Sequence, residues 1–591
     1  MTTEEKNKQL GTTEVVWALE DLYPGAESRE FRHDMFRCRE LAEHLGAEMT
    51  GRVHGLSAGE LYHVVEQLEA IDTLLGRLGT YAFLNFITQT ADAPASAVLQ
   101  QVEELEAAVG KRTLFFRLEW NTLAENEARQ RLQQPELATY RHYLTSMRRF
   151  APHQLSGKEE ELLQDLRPVG RSAWNLLFEK VLGQLRFGEQ GRSEEEVLSD
   201  LYSPVRAVRQ NAAQELTQGL GSHLHILTHI FNTLAAEKMI DDRLRAYPAW
   251  DSAMHLANEL DGQTLDTLVR EVTARYDIVQ RYYRVKKELL GVEILYDYDR
   301  YAPVPGGQET DIGWQECQTI VLDAFAEFSP EMATIAGEFF SKGWMHAPVV
   351  AGKRGGAFAH PCVPEVHPYI MVNYTGNMRD VSTVAHELGH GVHQVLAAKQ
   401  GYYNSDTPLV LAETASVFAE LLVFKAQVGL IANPQARRAF VCQKLESIFA
   451  TVFRQVAMNR FENSLHTKRR AEGELSAERI SALWMETQLP MFGDTVTLQE
   501  DYGTWWSYIS HFLATPGYVY SYAFGELLVL ALYARYLEEG QSFVGKYMHL
   551  LSVGGNGSPE ELVKPFGIHL DDADFWRGGL GIIENMLAEI E

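Results

Sequence analysis

Apolar residues recur along most of the chain at three- and four-residue spacing with Glu, Arg and Gln between them, the period of an amphipathic helix. In the first two hundred residues this pattern predicts helices over 29–45, 58–78, 96–118, 158–166 and 172–185. Longer ones follow over 194–220, 224–239 and 262–290. Regular structure should then break in ILYDYDRYAPVPGGQ, where Pro303, Pro305, Gly306 and Gly307 crowd together. A helix pair over 314–328 and 330–340 comes next. The pattern predicts a mainly α protein whose helices pack on one another, without internal repeats or low-complexity tracts.

The texture changes over 343–377. KRGGAFAHPCVPEVHPYIMVNYTGN carries glycines, prolines and the short run Tyr369-Ile370-Met371-Val372-Asn373-Tyr374, which reads as β. It is expected either as a structural hairpin or as a strand edge able to pair with an extended peptide. Directly after it, DVSTVAHELGHGVHQVL has helical period, with Asp380 as a candidate cap and Leu388, Val392 and Val395 as an apolar stripe. Thr407-Pro408 then reads as the start of another helix, LVLAETASVFAELLVF, apolar nearly all round and therefore expected to be buried.

Composition narrows the function classes. The chain has 591 residues, 46% hydrophobic and 23% charged, a folded protein and not a disordered one. Its net charge of −27 argues against a nucleic-acid or anionic-membrane partner. Cys38, Cys317, Cys362 and Cys442 are scattered, with no CxxC pair, so neither a disulfide framework nor a cysteine-built zinc site is expected. The opening MTTEEKNKQLGTTEVV has no apolar stretch of the signal-peptide kind, and no run is long enough to span a bilayer. A cytoplasmic protein is expected.

Chemistry concentrates in His386-Glu387-Leu388-Gly389-His390. On a helix, His386 and His390 project from one face and can share a metal, with Glu387 beside it as a base. The pentapeptide alone is weakly specific, so a third ligand is required. Glu413 and Glu420 are the only charges in the apolar 409–424 helix, seven apart and so close to one face. A carboxylate buried without a partner costs several kcal/mol, and a metal would satisfy Glu413 directly. Glu420, about two turns further on, could orient an imidazole through its free N–H. HExxHxxGxxH spacing is absent, because positions 393 and 396 are His393 and Leu396. His393 is therefore expected as a packing residue or a neighbour of the ligands, and the site as His₂Glu with an open water position. Further on, TPGYVYSYAFG offers a Pro516-Gly517 turn, three phenols and the upstream His511, all suited to holding an oxyanion.

Taken together, HPYIMVNYTGNMRDVSTVAHELGHGVH, LAETASVFAE and HFLATPGYVYSYAFGEL resemble the signature segments of zinc oligopeptidases related to thimet oligopeptidase, and within them the oligoendopeptidase F group. VVWALEDLYPG and DRYAPVPGG are also similar to that group, so the resemblance covers most of the chain. It implies an elongated, multi-helical zincin-type body with a deep substrate channel and a small β element beside the active-site helix. It also implies an N-terminal helical region over 1–200 and a catalytic region over 201–591. By motif, His386, His390 and Glu413 resemble the ligands of one zinc ion and Glu387 the general base. His511, Tyr518 and Tyr522 resemble the substrate-binding and oxyanion-stabilising side chains, with the choice among Tyr518, Tyr520 and Tyr522 left open. The activity implied is endopeptidase cleavage of short unstructured peptides. Two other readings remain: a dipeptidyl carboxypeptidase or metallocarboxypeptidase, for which Arg354 or Arg379 could hold a terminal carboxylate, and a non-catalytic zinc-containing helical protein.

Overall fold

The computed structural model describes residues 2–307 and 311–591; Gln308, the last residue of the expected break, lies outside the described residues. The chain is predominantly helical with one three-stranded sheet. It forms two compact units, each assembled from three stretches of sequence. No helix among the described residues is long and apolar enough to cross a membrane. The four cysteines are free.

The first unit comprises Met1–Ala151, Glu309–Gly429 and Arg535–Gly567. Helices Arg29–Met49, Ala58–Ile87 and Ala93–Thr122 are capped by the side chains of Ser28, Ser57 and Asp92. They enclose a core that includes Leu45, Val65, Leu78, Phe116 and Trp120. The second of these helices runs past its expected end at Leu78, because Tyr81, Ala82, Leu84 and Ile87 continue its buried stripe. Gly79, just past the expected end, meets nothing and is carried inside the helix.

The sheet has the order β1-β3-β2, with β1 (Met345–His346) parallel and β2 (Phe358–His360) antiparallel to β3 (Tyr369–Met371). The strand expected over 369–374 is thus shorter than predicted, although Val372 and Tyr374 still donate to the carbonyls of His346 and Ala347. It is also the central strand, not an edge. All three β3 side chains are fully buried, as suits a strand covered on both faces. The edges are β1 and β2. The loop before β2 is pinned by the Lys353 ammonium, which donates to the carbonyls of His346, Pro348 and Val372 at 3.2, 2.8 and 2.7 Å. Asn373 adds bonds to the carbonyls of Arg354 and Gly356.

The second unit comprises Pro152–Gln308, Leu430–Ala534 and Ile568–Glu591. Its long helix is Arg206–Leu244, unbroken where the pattern predicts a gap at 221–223. Leu216, Leu220, Leu227, Ile230 and Phe231 form one fully buried stripe across that gap. Gly219 stays within it because the Phe187 ring lies where a Cβ would be, 2.3 Å from the nearest ring carbon. The helix expected over 194–220 instead breaks at Pro204, giving Glu194–Asp200 before it. That expected over 262–290 divides at Arg275 into Gly262–Ala274 and Tyr276–Leu290. Within the predicted break, Asp297–Tyr301 forms a 3₁₀ turn.

That turn is held by a buried ion cluster. Asp299, fully enclosed, accepts from Arg206 at 2.7 Å and from the buried Arg209 at 2.8 Å, and the two guanidinium groups hold its carboxyl low despite its burial. Truncating one partner of a buried pair leaves the other charge uncompensated. Asp299→Ala is therefore expected to cost about 3 kcal/mol. Urea unfolding should show a lower midpoint at an unchanged slope, and a midpoint like that of the wild type would contradict this role.

Candidate metal centre and active site

The helix carrying the paired histidines, Met378–Ala397, starts at Asn377 and not at Asp380 as expected. The Asn377 side chain accepts from the Asp380 N–H at 2.9 Å. The Asp380 carboxylate reaches back to the Asn377 N–H, closing a capping box in which Asp380 is the second partner, and also accepts from the N–H groups of Thr375 and Gly376. Val381, Val384, Ala385, Leu388 and Val392 are fully buried on one side, which leaves His386 and His390 half-buried on another. Their rings are 5.1 Å apart.

The facing helix, Leu409–Leu430, begins one residue later than Thr407-Pro408 suggests; the Pro408 carbonyl accepts from the N–H groups of Leu411 and Ala412. The two helices meet backbone to backbone at Gly389. A Cβ there would lie 2.5 Å from the Ala415 carbonyl oxygen and 2.6 Å from the Ser416 Cα. Gly391 gives similar room on the next face, to the Phe339 ring and to Ile370.

This approach sets Glu413 between the imidazoles. Its Oε2 is 3.3 Å from His386 Nε2 and 3.5 Å from His390 Nε2. Two ligand atoms at about 2.0–2.1 Å from one ion, at tetrahedral angles, lie about 3.3 Å from each other, so these spacings fit zinc. Among the described residues this is the only group of three possible ligands converging within 4.8 Å. The Ser416 hydroxyl donates to Glu413 Oε2 at 2.7 Å, and Glu420 Oε2 lies 3.4 Å from His386 Nδ1. Glu420 thus faces the nitrogen of His386 turned away from Glu413, the position from which a carboxylate fixes tautomer and ring angle.

The electrostatics follow from this crowding. Burial alone would lower the His386 imidazolium, but Glu413 and Glu420 outweigh it and hold it up at about 10. Burial alone would raise Glu413, and its bonds to His386 and His390 instead hold it well below the ordinary carboxylate range. Glu387 goes the other way: burial raises its carboxyl against the opposing pull of both histidines and the Ala359 backbone N–H on β2. Its Oε2 is buried without a hydrogen-bond partner. A desolvated carboxylate beside a converging donor set is the kind of group that moves protons.

His393 is buried and outside this group, and burial with the neighbouring His390 lowers its imidazole to about 4. Arg354 and Arg379 are exposed, one in the loop before β2 and the other in the first turn of the histidine helix. In the second unit, His511, Tyr518 and Tyr522 stand together. His511 Nε2 is 3.3 Å from the Tyr522 hydroxyl, and the Tyr518 ring lies 6.0 Å from that of His511 and 4.9 Å from that of Tyr522. Burial and the Arg454 guanidinium lower the His511 imidazole. Tyr520 is turned inward and fully buried, its hydroxyl accepting from Asn258 at 2.9 Å. The structure thereby leaves Tyr518 and Tyr522 as the phenols beside His511. Sequence reasoning missed Gly389, whose signal is a helix-weakening glycine inside a strongly amphipathic stretch, and the Ala359 contact, which has no local signal.

The protein-family model described as Peptidase family M3 matches residues 200–582, and that described as Oligopeptidase F matches residues 119–187. The oligopeptidase PepF of Bacillus subtilis is 26% identical, over 100% of this chain and 90% of its own. A solved structure from Chlamydophila abortus has a TM-score of 0.84 at 22% identity and covers 98% of each chain. That of oligoendopeptidase-F from Enterococcus faecium has a TM-score of 0.73 at 22% identity, over 95% of this chain and 98% of its own. The two structures share this fold.

Gly389→Ala tests the helix contact. Neither neighbour of the new methyl can yield, since both are backbone atoms. The helices must separate, at a cost of about 1–3 kcal/mol. The expected result is a lower Tm together with less bound metal after gel filtration, measured by mass spectrometry. Full metal content with a wild-type Tm would show that the close approach does not set the ligand spacing.

Proposed function

This chain belongs to peptidase family M3, and from that premise we propose that it is a zinc-dependent endopeptidase cutting internal bonds of short, unstructured peptides. The reading is carried by the convergence of His386, His390 and Glu413 with the unpartnered Glu387 oxygen in the same buried setting. Those three residues would hold one zinc ion, which when bound lowers the pKa of water to roughly 7 and polarises a peptide carbonyl.

The chain's own groups supply the rest. Glu387, its basicity raised by burial, takes the proton of the attacking water and returns it to the leaving amine. Ser416 holds the Glu413 carboxylate, and Glu420 holds the His386 ring, so neither ligand has to reorganise. The edge strand β2 packs on the histidine helix and offers main-chain groups to an extended peptide, as strand addition requires. His511, Tyr518 and Tyr522 are assigned to substrate binding and to donation toward the developing oxyanion. Residues 201–591 are taken as the catalytic region and 1–200 as an N-terminal helical region.

A quenched fluorogenic peptide should be cleaved by the purified protein, silenced by a zinc chelator and cleaved again on zinc add-back. Glu387→Gln should keep its zinc and lose on the order of 10²- to 10⁴-fold in kcat. Chelator-insensitive cleavage, or wild-type turnover by Glu387→Gln, would sink this mechanism.

Product mapping tests the substrate class. Mass spectrometry of one unstructured peptide should show internal cuts at several positions, whereas release of C-terminal dipeptides alone would indicate a dipeptidyl carboxypeptidase. Intact casein should be cut far more slowly than a short peptide; equal rates would remove the size preference.

A further inference from the structure

A fully buried carboxyl group is costly, and one in the second unit is spent on a single backbone amide. Glu462 lies in the helix Phe453–Glu472 and is completely enclosed. Its Oε1 accepts from the Gly517 N–H at 3.0 Å, and its Oε2 has no partner. Burial pushes this carboxyl up to about 8, so in neutral solution it is mostly protonated yet still offers Oε1 as an acceptor. An amide–carboxyl bond enclosed in this way is worth more than an exposed one, and expensive to leave unmade.

Gly517 belongs to the turn that presents Tyr518. The turn closes through the Tyr518 N–H, which donates to the Thr515 carbonyl, and Gly517 adopts φ +81°, a conformation glycine accepts freely. Its open face rests on Met254 and on the Trp250 ring, where a Cβ would come to 3.4 and 3.6 Å. Trp250 is itself fixed, its Nε1 donating to Asn463 at 2.9 Å and its ring stacked 4.7 Å above that of His466, one helical turn beyond Glu462. One helix face, carrying Glu462, Asn463 and His466, thus supports the underside of the turn. Below the following residues, Val519 and Tyr520 are buried. Tyr518 alone of these is left half-exposed beside His511 and Tyr522.

We propose that Glu462 is a positioning residue: by gripping the Gly517 amide it locks the Thr515–Tyr518 turn, so that the Tyr518 phenol is held in its place beside His511 and Tyr522. This rests on the assignment of Tyr518 to the substrate. Glu462 touches neither substrate nor metal ligand in this scheme and acts only through the turn.

The test is a double-mutant cycle in the full-length, zinc-loaded enzyme, with backbone exchange as an independent readout. Glu462→Met fills the same volume without an acceptor, and Glu462→Ala serves if it does not fold. Expected is a fall in kcat on the order of 10- to 100-fold, the usual cost of misplacing a reacting-site group by about 1 Å, with KM little changed. Glu462→Gln, which restores a neutral acceptor, should recover most of that loss. In a Tyr518→Phe background the Glu462→Met penalty should disappear, because residues acting through one group are not additive. Hydrogen–deuterium exchange at the Gly517 amide should rise in Glu462→Met and return to wild type in Glu462→Gln, whatever the activity. An equal penalty in both backgrounds, or unchanged exchange at Gly517, would overturn the positioning role while leaving the assignment of Tyr518 intact. Wild-type kcat in Tyr518→Phe would overturn that assignment and the proposal with it.

Discussion

The candidate metal centre depends on two helices touching at a residue without a side chain. At Gly389 the histidine helix lies so close to Ala415 and Ser416 that any Cβ would enter the neighbouring backbone. Close approach of two helix axes shortens the reach required of every side chain between them. It is what allows one carboxylate oxygen to stand 3.3 and 3.5 Å from two imidazole nitrogens borne by the other helix. The glycine costs about 1 kcal/mol of helix propensity, and the packing of Val381, Val384, Leu388 and Val392 offsets it.

Within that contact, the same burial drives neighbouring groups in opposite directions. Desolvation alone would neutralise Glu413 and deprotonate His386, yet their mutual bonds reverse both tendencies. Glu387 receives less compensation, so its carboxyl remains raised. Two neighbouring carboxylates thereby become suited to different duties: one to holding a cation, the other to accepting and releasing a proton. Ser416 and Glu420 then restrict how each ligand can turn.

Much of this was legible in local spacing. A spacing of four from His386 to His390, and of seven from Glu413 to Glu420, places each pair on one helix face wherever the helices lie. Burial of the second helix followed from its composition, and with it the need of Glu413 for a cation. The failures were also local. The expected ends at Leu78 and Leu220 are not helix ends, because packed stripes on either side carry the helices through Gly79 and Gly221. Pro204 and Arg275 divided stretches whose apolar period alone was continuous. Asp380 and Asn377 both qualify as caps by residue type, and only the backbone geometry shows which one is first.

Other features depend on residues far apart in the chain. Tyr518, Tyr520 and Tyr522 are equivalent phenols in sequence; Asn258, more than 250 positions away, takes Tyr520 into the interior and separates it from the other two. The 369–374 run has the composition of a strand, but its place at the centre of the sheet, with β2 at an edge, follows from pairing with 345–346 and 358–360. By itself, the sequence determined the candidate donor set, the candidate base and the helical class, because helical period and the cost of a buried charge act within a single segment. Tertiary structure decided the spacing of the ligands, the edge strand and the exposed phenols, because each depends on which distant backbone occupies the adjoining space.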